Sequence, residues 1–211
     1  MSWEKRFTAD AGAIKASEIR ELLKVIADPT ILSFAGGIPD PDLFPMDRVK
    51  QIHTDLEARP DAARQAMQYS LTEGYLPLRT WVSERFSTPL TRLTADNVLI
   101  TNGAQQSLTL LAATLIDVGT PIAVANPTYL GALQVFDTRR PRYCTVETDD
   151  DGLIMENLET AFKQGVKLLY TIPDFQNPGG VTISEARRQR IVELIHQYDV
   201  AVLEDVAYRP L

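Results

Sequence analysis

Cysteine and histidine are nearly missing from this sequence. One cysteine, Cys144, and two histidines occur in 211 residues. A lone cysteine excludes an internal disulfide, and so few sulfur and imidazole ligands argue against a Cys/His zinc site. Cations are also scarce. Lys plus Arg number 21 against 28 Asp plus Glu, for a net charge of −7. No Lys/Arg-rich block offers the clustered charge that nucleic-acid binding requires. No apolar run approaches the ~20 residues of a membrane-spanning helix. The N-terminus Met1-Ser2-Trp3-Glu4-Lys5-Arg6-Phe7 lacks the apolar stretch of a signal peptide. Internal repeats and low-complexity segments are absent too. These gaps point to a metal-free, cytoplasmic globular protein, and the 45% apolar and 23% charged residues fit that class.

What is present divides the chain in two. Before residue 90 the pattern is irregular. Ile19, Leu22, Leu23 and Ile26 predict a helix between Ser17 and Ala27, stopped by Asp28-Pro29. Ile31-Leu32-Ser33-Phe34 predicts a short strand running into the Gly/Pro-dense loop Gly36-Gly37-Ile38-Pro39. Val49, Ile52 and Leu56 predict a helix, and residues 78–86 another. From Asn97 the pattern is regular. Short apolar runs at 98–100, 122–124, 143–146, 168–172 and 200–203 alternate with helical stretches. The last helix, 184–198, carries a possible capping box of Thr182 and Glu185. Continuous apolar strands alternating with helices indicate an α/β fold. Its sheet would be mostly parallel, with helices on both faces.

In such sheets ligands bind beyond the carboxyl ends of the strands. Polar motifs stand at four of these predicted ends. Gly103-Ala104-Gln105 joins a strand to a helix, where unpaired amides favour an anion. Taken alone, it is more often a tight turn that needs no ligand. Tyr129 follows Asn126-Pro127-Thr128 and could stack on a flat ring or be a core tyrosine. Asn177 sits in Asn177-Pro178-Gly179-Gly180, a sequence that also serves as a plain turn. Asp205 and Tyr208 follow the last run. A carboxylate and a phenol three residues apart suit a ring needing a charge partner and a hydroxyl partner, although Asp205 could also be a helix N-cap.

As an ordered set, these motifs resemble the site of the fold-type I aminotransferases (class I/II), which use pyridoxal 5'-phosphate. The resemblance implies a phosphate cup at Gly103, Ala104 and Gln105, and Tyr129 on the ring face. Asn177 and Tyr208 would contact the phenolic oxygen, and Asp205 the ring nitrogen. Tyr69, in a segment similar to the family's Tyr-…-Gly-x-x-x-Leu-Arg, would reach the partner's cofactor phosphate, which implies a homodimer. Residues 17–24 and 33–39 look like the branch containing 2-aminoadipate, aromatic and branched-chain aminotransferases. There Arg20 would meet a substrate carboxylate, with Gly37 on the same side. The expected organisation is an N-terminal helical and extended segment at 1–45, followed at 46–211 by the first part of the cofactor-binding domain.

The sequence departs from the family twice. Asn-Pro-Gly-Gly replaces the common Asn-Pro-Thr-Gly. None of Lys5, Lys15, Lys24, Lys50, Lys163 and Lys167 stands in the Ser-x-Ser-Lys type motif of the lysine that holds the cofactor covalently. The catalytic lysine is therefore not in this chain. The expectation is the N-terminal portion of an enzyme that moves an amino group from an amino acid to a 2-oxo acid. The alternative is a non-catalytic protein of the same fold that binds a ligand or a partner. The effector domain of a transcription regulator is a weaker idea, since no DNA-binding module precedes Ser17.

Overall fold

A computed structural model describes residues 3–8, 11, 30, 31, 37 and 39–209. The expected helix at 17–27 and most of the strand at 31–34 lie outside these residues. The chain forms two compact units, residues 16–100 and residues 1–15 with 101–211.

The larger unit is built on a five-stranded sheet. Its strands are β1 (Pro121–Asn126), β2 (Arg142–Asp149), β3 (Gly152–Leu153), β4 (Leu168–Thr171) and β5 (Ala201–Glu204), in the order β3-β2-β1-β4-β5. All pairs are parallel except β2 with the two-residue β3. The continuous apolar runs follow from this placement. β4 is buried at all four residues, and β1 at residues 122–125. A strand buried on both faces has no polar side to alternate with.

Alternate residues of β1 feed two separate cores. Ile122 and Val124 pack with Leu168, Tyr170 and Phe136. Ala123 and Ala125 pack with Leu169, Val146 and Phe162. The helices divide accordingly. In the smaller unit they are α1 (Met46–Glu57), α2 (Pro60–Ala66) and α3 (Leu76–Phe86). In the larger they are α4 (Ala104–Leu115), α5 (Leu130–Asp137), α6 (Met155–Lys163) and α7 (Glu185–Tyr198). Leu108 and Ala112 of α4 and Ala132, Val135 and Phe136 of α5 cover the first face. Leu158 and Phe162 of α6 and Ile191 and Leu194 of α7 cover the second. The expected mostly parallel sheet with helices on both faces is what forms.

Two expectations need correction. Residues 98–100 are extended, but they join no ladder among the described residues. The Ile100 amide bonds to Glu73 O at 3.0 Å. An apolar run becomes a strand only where a neighbouring backbone takes its hydrogen bonds. The capping box does not form either. Ser184 is the N-cap of α7 and makes no side-chain cap bond. The Thr182 hydroxyl instead accepts the Phe175 amide at 3.1 Å.

In the smaller unit, Arg79 of α3 is buried. It donates to Ala95 O at 2.7 Å and to Val98 O at 2.9 Å, anchoring the turn beside its helix. No described helix is long and apolar enough to cross a membrane.

Candidate active site

Strand order decides where a site can form. From β1 the chain crosses through α5 to β2 on one side. From β4 it crosses through α7 to β5 on the other. Adjacent parallel strands whose connections diverge leave a crevice at their carboxyl ends. Here that crevice lies between β1 and β4. Gln176 spans it. Its Nε2 donates to Pro127 O at 2.9 Å, and its Oε1 accepts the Gly179 amide at 2.6 Å. Asn177 sits half-buried in the turn so held, beside a cis Asn177-Pro178 bond.

The N-terminus of α4 opens on the same unit. Gly103 is its N-cap, with φ at 77° and no side-chain cap bond. This left-handed conformation disfavours any side chain, and a Cβ there would meet nothing within 4 Å. The first-turn amides of α4 thus stand at an open surface, in the arrangement that attracts anions. Gln105 donates through Nε2 to Gly131 O at 3.0 Å, tying α4 to α5. A second amide hydrogen remains on the same nitrogen. A pocket of about 280 Å³ brings Ala104, Ser107 and Leu108 of α4 together with Leu203, Asp205 and Val206. The helix N-terminus and the candidate carboxylate therefore line one space.

Asp205 is held at two points. Its amide donates to Thr171 O at 2.9 Å. Its Oδ2 accepts the Tyr170 hydroxyl at 3.0 Å. Burial pushes the Tyr170 phenol far above its ordinary pKa, and the Asp205 charge and hydrogen bond add to this, as do the phenols of Tyr129 and Tyr208. Tyr170 is thus a permanent donor. Tyr129 and Tyr208 pack against the core cluster that contains Tyr170. The Tyr129 ring lies over Gly131, where a Cβ would collide with it. Absence of a side chain at 131 lets that ring settle on the start of α5.

Behind the rim, Asp174 joins the carboxyl ends of β4 and β5. Arg188 Nη2 lies 2.7 Å from Oδ1, and Arg209 Nε lies 2.8 Å from Oδ2. Arg209 also approaches Glu204 at 3.4 Å. Arg188 further donates to Pro173 O and Ile183 O, each at 2.9 Å. Burial raises the Asp174 pKa, but the hydrogen bonds from Arg209 and Arg188 outweigh it, leaving the carboxyl below its ordinary value. A folded value below the unfolded one means the carboxylate contributes stability above about pH 4 and loses it as pH falls through the folded value. Asp174→Asn is therefore expected to lower the urea midpoint at pH 7. The gap from the parent protein should narrow as pH drops toward 3. A gap of equal size at both pH values would assign the effect to packing alone.

Tyr69 is fully exposed, in the smaller unit. It lines a groove of about 450 Å³ with Leu56, Arg59, Gln65 and Tyr75. Gly37 is described, with φ at 56°. Arg20 lies outside the described residues.

A helix N-terminus and a carboxylate lining one pocket at the end of a mostly parallel sheet have counterparts among known proteins. The family model of class I and II aminotransferases matches residues 31–211. This chain belongs to that family. It is 41% identical, over its whole length, to aromatic-amino-acid aminotransferase 1 of Thermococcus litoralis, covering 52% of that protein. It is equally 41% identical to the 2-aminoadipate transaminase of Thermus thermophilus, again over its whole length and 52% of the other. The crystal structure of the alpha-aminoadipate aminotransferase LysN from Thermus thermophilus, complexed with N-(5'-phosphopyridoxyl)-L-leucine, superposes with a TM-score of 0.88 at 39% identity. It is matched over 100% of this chain and 51% of that one. The chain thus spans about half the length of the curated relatives it matches.

Three groups in this aminotransferase chain carry geometry that no motif announced. Tyr170 stands in the apolar run 168–172, where it reads as a core aromatic. The available signal was its hydroxyl, because a phenol buried on both faces of a sheet needs a partner. Arg188 and Arg209 lie in sequence 14 and 35 residues from Asp174, and nothing local links them to it. Gln176 lies beside Asn177, and only the strand order shows that it bridges to Pro127.

Proposed function

We propose that the complete protein is a pyridoxal-phosphate-dependent aminotransferase, moving an amino group from an amino acid to a 2-oxo acid. The observation that carries this reading is Asp205, clamped by Tyr170 and Thr171 O, in one pocket with the N-terminus of α4. These groups fit the cofactor: cationic nitrogen needs a fixed carboxylate, and phosphate needs backbone donors. When bound, the cofactor supplies an electron-withdrawing ring that stabilises negative charge at the substrate Cα.

The residues of this chain have the following parts. Ala104 and Gln105 amides at the start of α4 bind the phosphate, and Gly103 lets it approach the backbone. Asp205 holds a proton at the ring nitrogen. Asn177 and Tyr208 hydrogen-bond the phenolic oxygen. Tyr129 covers one ring face and excludes water from it. Residues 46–211 form the first part of the cofactor-binding domain, and residues 1–45 border the substrate. Arg20 and Gly37 face a dicarboxylic or large amino acid, in keeping with the names of the relatives. The protein works as a homodimer in which Tyr69 reaches the partner's phosphate. Tyr69 is fully exposed, as such a reach requires. A cytoplasmic setting fits the single free cysteine, Cys144.

The test is turnover by the complete protein loaded with pyridoxal phosphate. Donors would be 2-aminoadipate, glutamate, leucine and phenylalanine, with light scattering on the same sample. Oxo-acid product is expected, from a dimer. Residues 1–211 alone should give none, because they lack the motif lysine. Arg20→Ala should weaken the acidic donors more than leucine. No product from the complete protein would overturn the reading, and an unchanged donor ranking would remove Arg20 from the site.

A further inference from the structure

The Asp205 carboxylate has two oxygens, and the structure commits one of them. We propose that Tyr170 is the positioning residue for Asp205: its hydroxyl holds Oδ2, which leaves the other oxygen to meet the cofactor ring nitrogen. The inference rests on the cofactor reading above and adds a residue to it.

The phenol is rigidly placed. Tyr170 is fully buried in β4. Its ring meets Phe136 edge-on, with centroids 5.4 Å apart and planes at 78°. Tyr170 pairs with Leu203, and Thr171 with Glu204, so β4 delivers its side chain to the residue that follows β5. The Asp205 amide bonds to Thr171 O, which fixes the aspartate main chain against the same strand. Backbone and side chain are thus gripped by successive residues of β4. The remaining freedom of the carboxylate is rotation about its own side-chain bonds, and the phenol removes it. A carboxylate so oriented meets a cation without first losing rotational freedom. Tyr170 itself gains a partner that a buried hydroxyl requires. No other described side chain bonds to the Asp205 carboxylate.

Tyr170→Phe in the complete protein deletes the hydroxyl and keeps the ring against Phe136. The readouts are the dissociation constant of pyridoxamine 5'-phosphate and the nitrogen-15 chemical shift of its labelled ring nitrogen. About tenfold weaker binding is expected, the usual consequence of losing one hydrogen bond to a charged group. The ring-nitrogen signal should move toward the unprotonated position. The same replacement in an Asp205→Asn background should change binding little, since groups acting through one another are not additive. Equal weakening in both backgrounds would reduce Tyr170 to a packing residue and overturn the inference. Unchanged binding and an unmoved ring signal in Tyr170→Phe would also overturn it, while leaving the cofactor reading in place. A parent protein that fails to bind pyridoxamine phosphate would sink both together.

Discussion

Asp205→Asn in the complete protein is expected to lower turnover by roughly 10²–10³-fold, the scale set by removing one preorganised electrostatic group from a reacting centre. The side chain keeps its shape and loses its charge. Its anchors survive: the residue 205 amide still bonds to Thr171 O, and the Tyr170 hydroxyl still finds an amide oxygen to accept it. Folding should therefore change little, and the thermal midpoint should stay close to that of the parent. In the proposed reading, what disappears is the negative charge that would keep the ring nitrogen protonated, and with it the electron demand of the ring. The loss should fall on kcat and kcat/KM together, because the charge matters most as negative charge develops on the substrate. Cofactor should also be held less tightly. Steady-state kinetics at saturating cofactor separates the two effects. Full turnover in the variant would remove Asp205 from the reaction, and a collapsed thermal midpoint would make it a structural residue.

Phe136→Ala is expected to cost about 3–5 kcal/mol of stability, the range for deleting a buried aromatic side chain. Phe136 is fully buried where α5 meets the sheet. It touches the Tyr170 ring edge-on and belongs to the cluster with Leu108, Ala112 and Ile122. Removing it leaves a cavity that α5 can close only by moving toward β4. That movement would also release the ring of Tyr170, so cofactor affinity should fall along with stability. Val192→Ala is the comparison. Val192 lies on the exposed side of α7, and its loss should stay within about 0.5 kcal/mol. Urea unfolding of both variants of the complete protein gives the two numbers. Similar midpoints for the two would show that this side of the core tolerates collapse.

Much of the sheet could be read locally because its residues leave few choices. Ile122-Ala123-Val124 and Leu168-Leu169-Tyr170 are apolar at every position, as suits a strand covered on both faces. Residues 98–100 carry the same kind of run and form no ladder among the described residues. The difference lies in the neighbours, which no local pattern records. Gly103 and Asp205 stand out as candidates in the sequence because each lies where a strand-like run meets a turn, a place suited to ligands. Thr182 misled for a similar reason. It has the capping-box spacing, yet the Phe175 amide took its hydroxyl before α7 began.

The sequence by itself determined the α/β class, the two-faced sheet, the ordered motifs that mark the aminotransferase family, and the absence of a motif lysine. Each of these follows from residue type and short-range spacing. Only the tertiary structure decided the order β3-β2-β1-β4-β5, the crevice between β1 and β4, and the grip of Tyr170 on Asp205. It also brought Arg188 and Arg209 onto one carboxylate. Strand neighbours are chosen by long-range backbone pairing, and the right-handed crossover then fixes which face each helix covers. On an inner strand, a buried tyrosine and a buried leucine obey the same periodicity. What the hydroxyl bonds to depends on a residue 35 positions away in sequence, and only the folded sheet sets that distance at 3.0 Å.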